Sequence, residues 1–116
     1  VLIEDPVYTH AADLFRAAGL KVVGVPQDME GLIVDQSLEE VVQTVKPTLF
    51  YTVPIHNNPT GATLSPERRA QLVALAQRYG FQIIADEVYQ LIGFTHEAID
   101  IASLRSYDGD GNGDTV

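Results

Sequence analysis

Short apolar runs rich in β-branched residues alternate with amphipathic helical patterns along most of this chain, and that alternation leaves few ways to fold. Val1-Leu2-Ile3 reads as a buried strand, closed by the breaker Asp5-Pro6. From Thr9 to Ala18 the residues Ala11, Leu14, Phe15 and Ala18 recur at helical spacing, with Gly19 placed for a left-handed C-cap. Lys21 to Val25 reads as a second strand stopped by Pro26. Ser37 and Glu40 have capping-box spacing, and Leu38, Val41, Val42 and Val45 then stripe one helix face until Lys46-Pro47 ends it. Thr48 to Val53 makes a third strand, followed by a turn-rich stretch from Pro54 to Gly61. Ser65-Pro66 offers an N-cap and a Pro at the first helical position; Leu72, Val73, Ala76 and Tyr79 share a face, and Gly80 ends the helix. Phe81 to Ala85 is a fourth strand, apolar on both faces apart from Gln82, as a central parallel strand would be. The order β-α-β-α-β-α-β predicts an α/β fold, a three-layer α-β-α arrangement on a mostly parallel sheet with right-handed crossovers.

At 116 residues, 46% of them hydrophobic, the chain has room for one domain with a core. Seven Lys and Arg stand against 16 Asp and Glu, a net charge of −9, and the seven are scattered from Arg16 to Arg105. Phosphate-backbone binding needs clustered cations, so a nucleic-acid partner is disfavoured. With no Cys, disulfides, thiolate nucleophiles and Cys-ligated metals are excluded, and the compartment stays open. No apolar run approaches the ~20 residues of a membrane span, so no membrane partner is expected. The chain begins on Val1 within an apolar run, which reads as a piece of something longer.

In open α/β sheets ligands bind beyond the carboxyl ends of the strands. Three groups of residues fall there: Asp5, Pro6 and Tyr8; His56-Asn57-Asn58-Pro59-Thr60-Gly61; and Asp86-Glu87-Val88-Tyr89. Parallel connectivity puts all three on one edge, where they can share a pocket. Each also has a plain structural reading: Asn58-Pro59-Thr60-Gly61 as an ordinary turn, Asp86 as a helix N-cap, Tyr8 as an interfacial aromatic.

Taken together, Asn58-Pro59-Thr60-Gly61 and, 28 positions after Asn58, Asp86-x-x-Tyr89 at the end of an apolar strand resemble the large domain of fold-type I aminotransferases, the pyridoxal-phosphate enzymes of the aspartate aminotransferase superfamily. Pro6-Val7-Tyr8 is similar to the place where that family sets an aromatic ring on the cofactor. Val25-Pro26-x-Asp28-x-x-Gly31-Leu32 resembles the matching stretch of the aminoadipate and kynurenine branches. The resemblance covers Val1 to about Arg105. It implies pyridoxal 5'-phosphate as cofactor, with Asp86 beside the pyridine nitrogen, Asn58 and Tyr89 donating to the phenolic oxygen, and Tyr8 stacked on the ring. It further implies amino-acid and 2-oxo-acid substrates, a homodimer and a cytoplasmic location for the full-length protein. Residues 1–116 would then be part of the large domain, with a flexible acidic loop over 108–114 and the small domain absent.

The same resemblance calls for a Schiff-base Lys, and the chain's two, Lys21 and Lys46, fall away from the binding edge. The expectation is therefore a segment without catalytic residues of its own, inactive alone, its Lys encoded soon after Val116. Two other readings stand beside it: the aminotransferase-like sensing domain of a MocR-type transcriptional regulator, and a small flavodoxin-like binding module. Other signals fail on context. Asp108-Gly-Asp110-Gly-Asn112-Gly113 imitates the opening of a calcium loop, but its position 8 is Thr115 rather than an apolar residue, and position 12 lies past Val116. The same glycines lack the strand-turn-helix frame of a dinucleotide fingerprint. His10, His56 and His96 show no metal-ligand spacing, and Arg68, Arg69 and Arg78 are expected on a solvated helix face.

Overall fold

The computed structural model describes residues 1–93, 101–109 and 114–116. Five strands form one sheet in the order β3-β2-β1-β4-β5, where β1 is Leu2–Asp5, β2 Val23–Asp28, β3 Gly31–Leu32, β4 Leu49–Thr52 and β5 Gln82–Ala85. The pairs β2·β1, β1·β4 and β4·β5 are parallel, and β3 alone runs antiparallel, at one edge. The helices are α1 (Thr9–Ala17), α2 (Gln36–Val45) and α3 (Pro66–Tyr79); a short 3-10 turn spans Leu104–Tyr107.

The period-two alternation of the strands divides the core into two layers. Leu2, Val25, Phe50 and Ile83 point to the side of α2 and α3, where Leu38, Val42, Leu72, Val73 and Ala76 bury against them. Ile3, Tyr51 and Val53 point to the other side and pack with Ala11 and Ala12 of α1. The three-layer α-β-α arrangement with a mostly parallel sheet results from this division.

Several local expectations are corrected. Pro26 does not stop the second strand: it sits inside β2, its carbonyl accepting from the Ile33 N–H at 3.3 Å. The strand continues to Asp28 and turns back into β3, too short at two residues to show a period of its own. On α1 the buried positions are Ala11 and Ala12, while Leu14 is 70% exposed, because the helix presents its small residues to the sheet. Helix α2 is capped by Asp35, whose Oδ1 accepts from the Ser37 and Leu38 N–H groups at 2.9 and 3.2 Å. The Ser37 hydroxyl donates to the same oxygen at 2.6 Å, and Glu40 instead accepts from Gln36 at 3.2 Å, so the capping box does not form. Ser65 does cap α3, with Pro66 in its first turn and Gly80 left-handed at its end. Strand β5 lies at the end of the described sheet rather than in its centre, and Ile84 is 43% exposed because α1 does not reach over it. On the far edge of β5, the Ile83 N–H donates to the Thr115 carbonyl at 2.6 Å, although residues 114–116 form no strand.

The three arginines of α3, all expected on a solvated face, have three different fates, and only Arg78 keeps to that face. Arg78 pairs with Glu39 at the surface. Arg68 grips the β2–β3 hairpin, donating to both oxygens of Asp28 at 2.8 and 2.7 Å and to the Gly31 and Leu32 carbonyls. Arg69 is buried beneath the segment 101–104 and donates to the Ala102 carbonyl at 2.8 Å. Asp108, expected in a flexible acidic loop, is buried and accepts from Gln77 and from the N–H groups of Thr115 and Val116. Residues Asp110 to Gly113 of that loop, and His96, lie outside the described residues.

Gly31 is placed where a side chain is costly. Its φ is +92°, and a Cβ would meet Leu64 Cδ2 at 3.0 Å. Gly31→Ala is expected to cost about 1–2 kcal/mol, read as a lower denaturation midpoint at unchanged slope.

Candidate functional site

The strands β1, β4 and β5 are neighbours in the sheet and run the same way, so the segments leaving their carboxyl ends converge on one edge. Tyr8 stands three residues beyond β1 as the N-cap residue of α1, 40% exposed, its ring stacked on His10 with centroids 5.2 Å apart. Asn58 lies in the turn after β4. Asp86 comes directly after β5, its N–H donating to the Thr52 carbonyl at 2.9 Å, which fixes it at the sheet edge. Tyr89 belongs to the turns just beyond Asp86. All four expected residues line one cavity of about 240 Å³, completed by Val53 and Val88.

The polar groups of this cavity are already oriented. Tyr51, 5% exposed, donates its hydroxyl to Asp86 Oδ2 at 2.6 Å. Burial first, and the Asp86 carboxylate second, push the Tyr51 hydroxyl well above its ordinary pKa, so the proton stays on Tyr51. Among the described residues no donor reaches Asp86 Oδ1. Across the cavity the Asn58 amide donates to the Tyr89 hydroxyl oxygen at 3.3 Å, which leaves the Tyr89 proton for another acceptor. Between Asp86 and Gly93 the chain forms turns and no helix, so Asp86 does not serve as an N-cap.

Beneath the turn that carries Asn58 lies a second carboxylate, to which no motif in the sequence points. Glu4 is 1% exposed. It accepts from the Thr52 hydroxyl at 2.7 Å, the Val53 N–H at 3.0 Å and the Asn57 amide at 2.8 Å. Burial pushes its pKa up from 4.5 to about 7, against the pull of these three donors. A charged residue directly after the apolar run Val1-Leu2-Ile3 and still within β1 is the signal that could have found it; Tyr51, in an apolar run, offers none.

The remaining candidates stay apart from the cavity. Lys21 precedes β2 and Lys46 is the left-handed cap of α2, both exposed near the amino ends of the strands. His56 is half-buried with φ +49°, its Nδ1 3.4 Å from the Thr63 hydroxyl. Among the described residues no group of His, Asp and Glu is arranged to hold a metal, and no helix is long and apolar enough to cross a membrane.

The fold is an open α/β sheet of the doubly wound type, with an acceptor, two neutral donors and an aromatic ring gathered at its carboxyl edge, where such folds bind their ligands. The comparisons narrow the class: a family model described as aminotransferase class I and II matches residues 1–111, and the chain belongs to that family. An aromatic amino acid aminotransferase of Schizosaccharomyces pombe is 41% identical over 98 residues, which are 79% of this chain and 20% of that protein. The crystal structure of LysN, an alpha-aminoadipate aminotransferase from Thermus thermophilus complexed with N-(5'-phosphopyridoxyl)-L-leucine, superposes with a TM-score of 0.73 at 33% identity, over 78% of this chain and 23% of that one. An uncharacterised HTH-type transcriptional regulator of Bacillus subtilis, YdfD, is 33% identical over 94 residues, 78% of this chain and 18% of its own length. The chain spans between 18 and 27% of the length of the curated relatives it matches.

Proposed function

We propose that the chain is part of the cofactor-binding large domain of a pyridoxal-phosphate-dependent aminotransferase, moving an amino group between an amino acid and a 2-oxo acid. The observation that carries this reading is the convergence of Tyr8, Asn58, Asp86 and Tyr89 on one cavity in a chain of this family. The donor set suits the cofactor: an acceptor with one oxygen open among the described residues, two neutral donors opposite, one aromatic ring and apolar flanks from Val53 and Val88. Pyridoxal phosphate, when bound, supplies an electron sink for the substrate carbon. Asp86 Oδ1 would hold the proton of the pyridine nitrogen by a charge-assisted hydrogen bond. Asn58 and the Tyr89 hydroxyl would donate to the phenolic oxygen, and Tyr8 would cover a ring face. Neither Lys of the chain approaches this cavity, so the Schiff-base Lys is assigned to sequence beyond these 116 residues, and the chain alone is inactive.

The same reading includes a homodimer in the cytoplasm, to be checked by sedimentation and cell fractionation. For the activity, the intact protein is incubated with pyridoxal phosphate, a panel of amino acids and 2-oxoglutarate. Expected are glutamate formation and a cofactor absorbance band lost on borohydride reduction. A band without glutamate, together with binding to its own promoter DNA, would favour the regulator that the YdfD likeness keeps in view. Neither band nor product would refute both readings.

A further inference from the structure

We infer that Glu4 is a positioning residue for Asn58: it clamps the neighbouring Asn57, and with it the turn, onto the ends of β1 and β4. The inference rests on the proposed cofactor reading of Asn58. The covalent path between the two sites is long, from β1 to residue 57, while the hydrogen-bonded path is short. Glu4 Oε2 receives the Asn57 amide at 2.8 Å and the Val53 N–H at 3.0 Å, which ties the entry of the turn to the last residues of β4. Asn57 passes the restraint onward with its remaining polar groups. Its side-chain oxygen accepts from the Thr60 hydroxyl at 2.9 Å and the Thr60 N–H at 3.3 Å. Its carbonyl accepts from the Gly61 N–H at 2.6 Å, and its own N–H donates to the Ala62 carbonyl at 2.8 Å.

The turn thus closes on Asn57, and Asn57 is anchored on Glu4. Asn58, next in sequence, keeps its side chain out of this network and turns it to Tyr89. Glu4 therefore fixes where the Asn58 amide sits without lining the cavity itself. A carboxylate suits the task because its two oxygens accept three donors from two segments, and the burial of Glu4 and Asn57, at 1 and 3% exposure, excludes water as a substitute.

The test compares Glu4→Ala, Glu4→Gln and Asn57→Ala in the intact protein, by titration with pyridoxal phosphate and by amide exchange at Thr60, Gly61 and Ala62 without cofactor. Glu4→Gln keeps an oxygen for Val53 and Asn57 and is expected to bind like wild type. Glu4→Ala is expected to weaken cofactor binding roughly tenfold or more and to speed exchange in the turn by a similar factor. Asn57→Ala, which cuts the link from the other end, should do the same and keeps the test open where Glu4→Ala does not fold. Wild-type affinity and unchanged exchange in both alanine variants would overturn the clamp, as would a Glu4→Gln protein as impaired as Glu4→Ala. Fast exchange with no cofactor uptake by wild type would instead refute the cofactor reading, and the role of Glu4 toward it, while leaving the clamp visible.

Discussion

Asp86→Ala in the intact protein is expected to lower kcat/KM for transamination by about 10²–10³-fold, the scale of removing one preorganised electrostatic contact to the reacting system. Asp86 is only half-buried, and its one side-chain partner among the described residues is Tyr51. Folding therefore has little to lose, and the melting temperature should fall far less than the activity. Tyr51→Phe separates the two oxygens of Asp86. It removes the 2.6 Å bond that sets the carboxylate's orientation and leaves Oδ1 in place, so a loss of about tenfold is expected, from a single hydrogen bond to a charged group. Steady-state kinetics and thermal melts of both variants check this pair. Equal losses of stability and activity in Asp86→Ala would reduce Asp86 to a structural residue.

The sequence exposes the architecture because each strand and helix satisfies its own local rule. The runs around Leu2, Val25, Phe50 and Ile83 are long enough to show β character, and Ser65-Pro66 and Gly80 mark α3 by chemistry that acts within one turn. The convergence of Tyr8, Asn58, Asp86 and Tyr89 on one cavity is legible for a related reason: parallel connectivity sends every strand's carboxyl end to the same edge. What stays hidden depends on contacts between distant positions. The hairpin at Asp28–Gly31 is held by Arg68, 40 residues away, and no window around Pro26 reports that. Arg69 shares its helix with the surface Arg78 and the hairpin-gripping Arg68, and is set apart by lying under the segment near Ala102. The partnership of Glu4 with Asn57 spans 53 residues, and that of Tyr51 with Asp86 spans 35. Composition reads Glu4 as surface and Tyr51 as core; only the sheet order makes them the supports of the turn and of the carboxylate.

Glu4→Gln is expected to abolish a loss of stability that wild type suffers as the pH rises from about 4.5 to about 7. Below pH 4.5 the carboxyl is protonated in both folded and unfolded chains and contributes no penalty. Between 4.5 and 7 the unfolded chain releases the proton while the folded one retains it, since burial holds the folded pKa at about 7. The folded state then binds more protons, and the unfolding free energy falls with rising pH. Above pH 7 both states are ionised and the full cost remains, about 3 kcal/mol at about 1.4 kcal/mol per pH unit. The surface carboxylates act with the opposite sign in another window. Arg68 beside Asp28 holds that carboxyl at about 2, and Asp35, Glu39 and Glu67 are held below their ordinary values by hydrogen bonds from Ser37, from Tyr79 and at the start of α3, so their contributions fade only under acid. The three histidines are common to both proteins and cancel in the difference. Urea denaturation of wild type and Glu4→Gln at about pH 5, 6, 7 and 8 should show curves that diverge with pH, the variant gaining on wild type until about pH 7 and keeping a constant lead above it. Parallel curves would mean that Glu4 ionises in the folded chain as it does in the unfolded one, with the donors from Thr52, Val53 and Asn57 offsetting its burial completely.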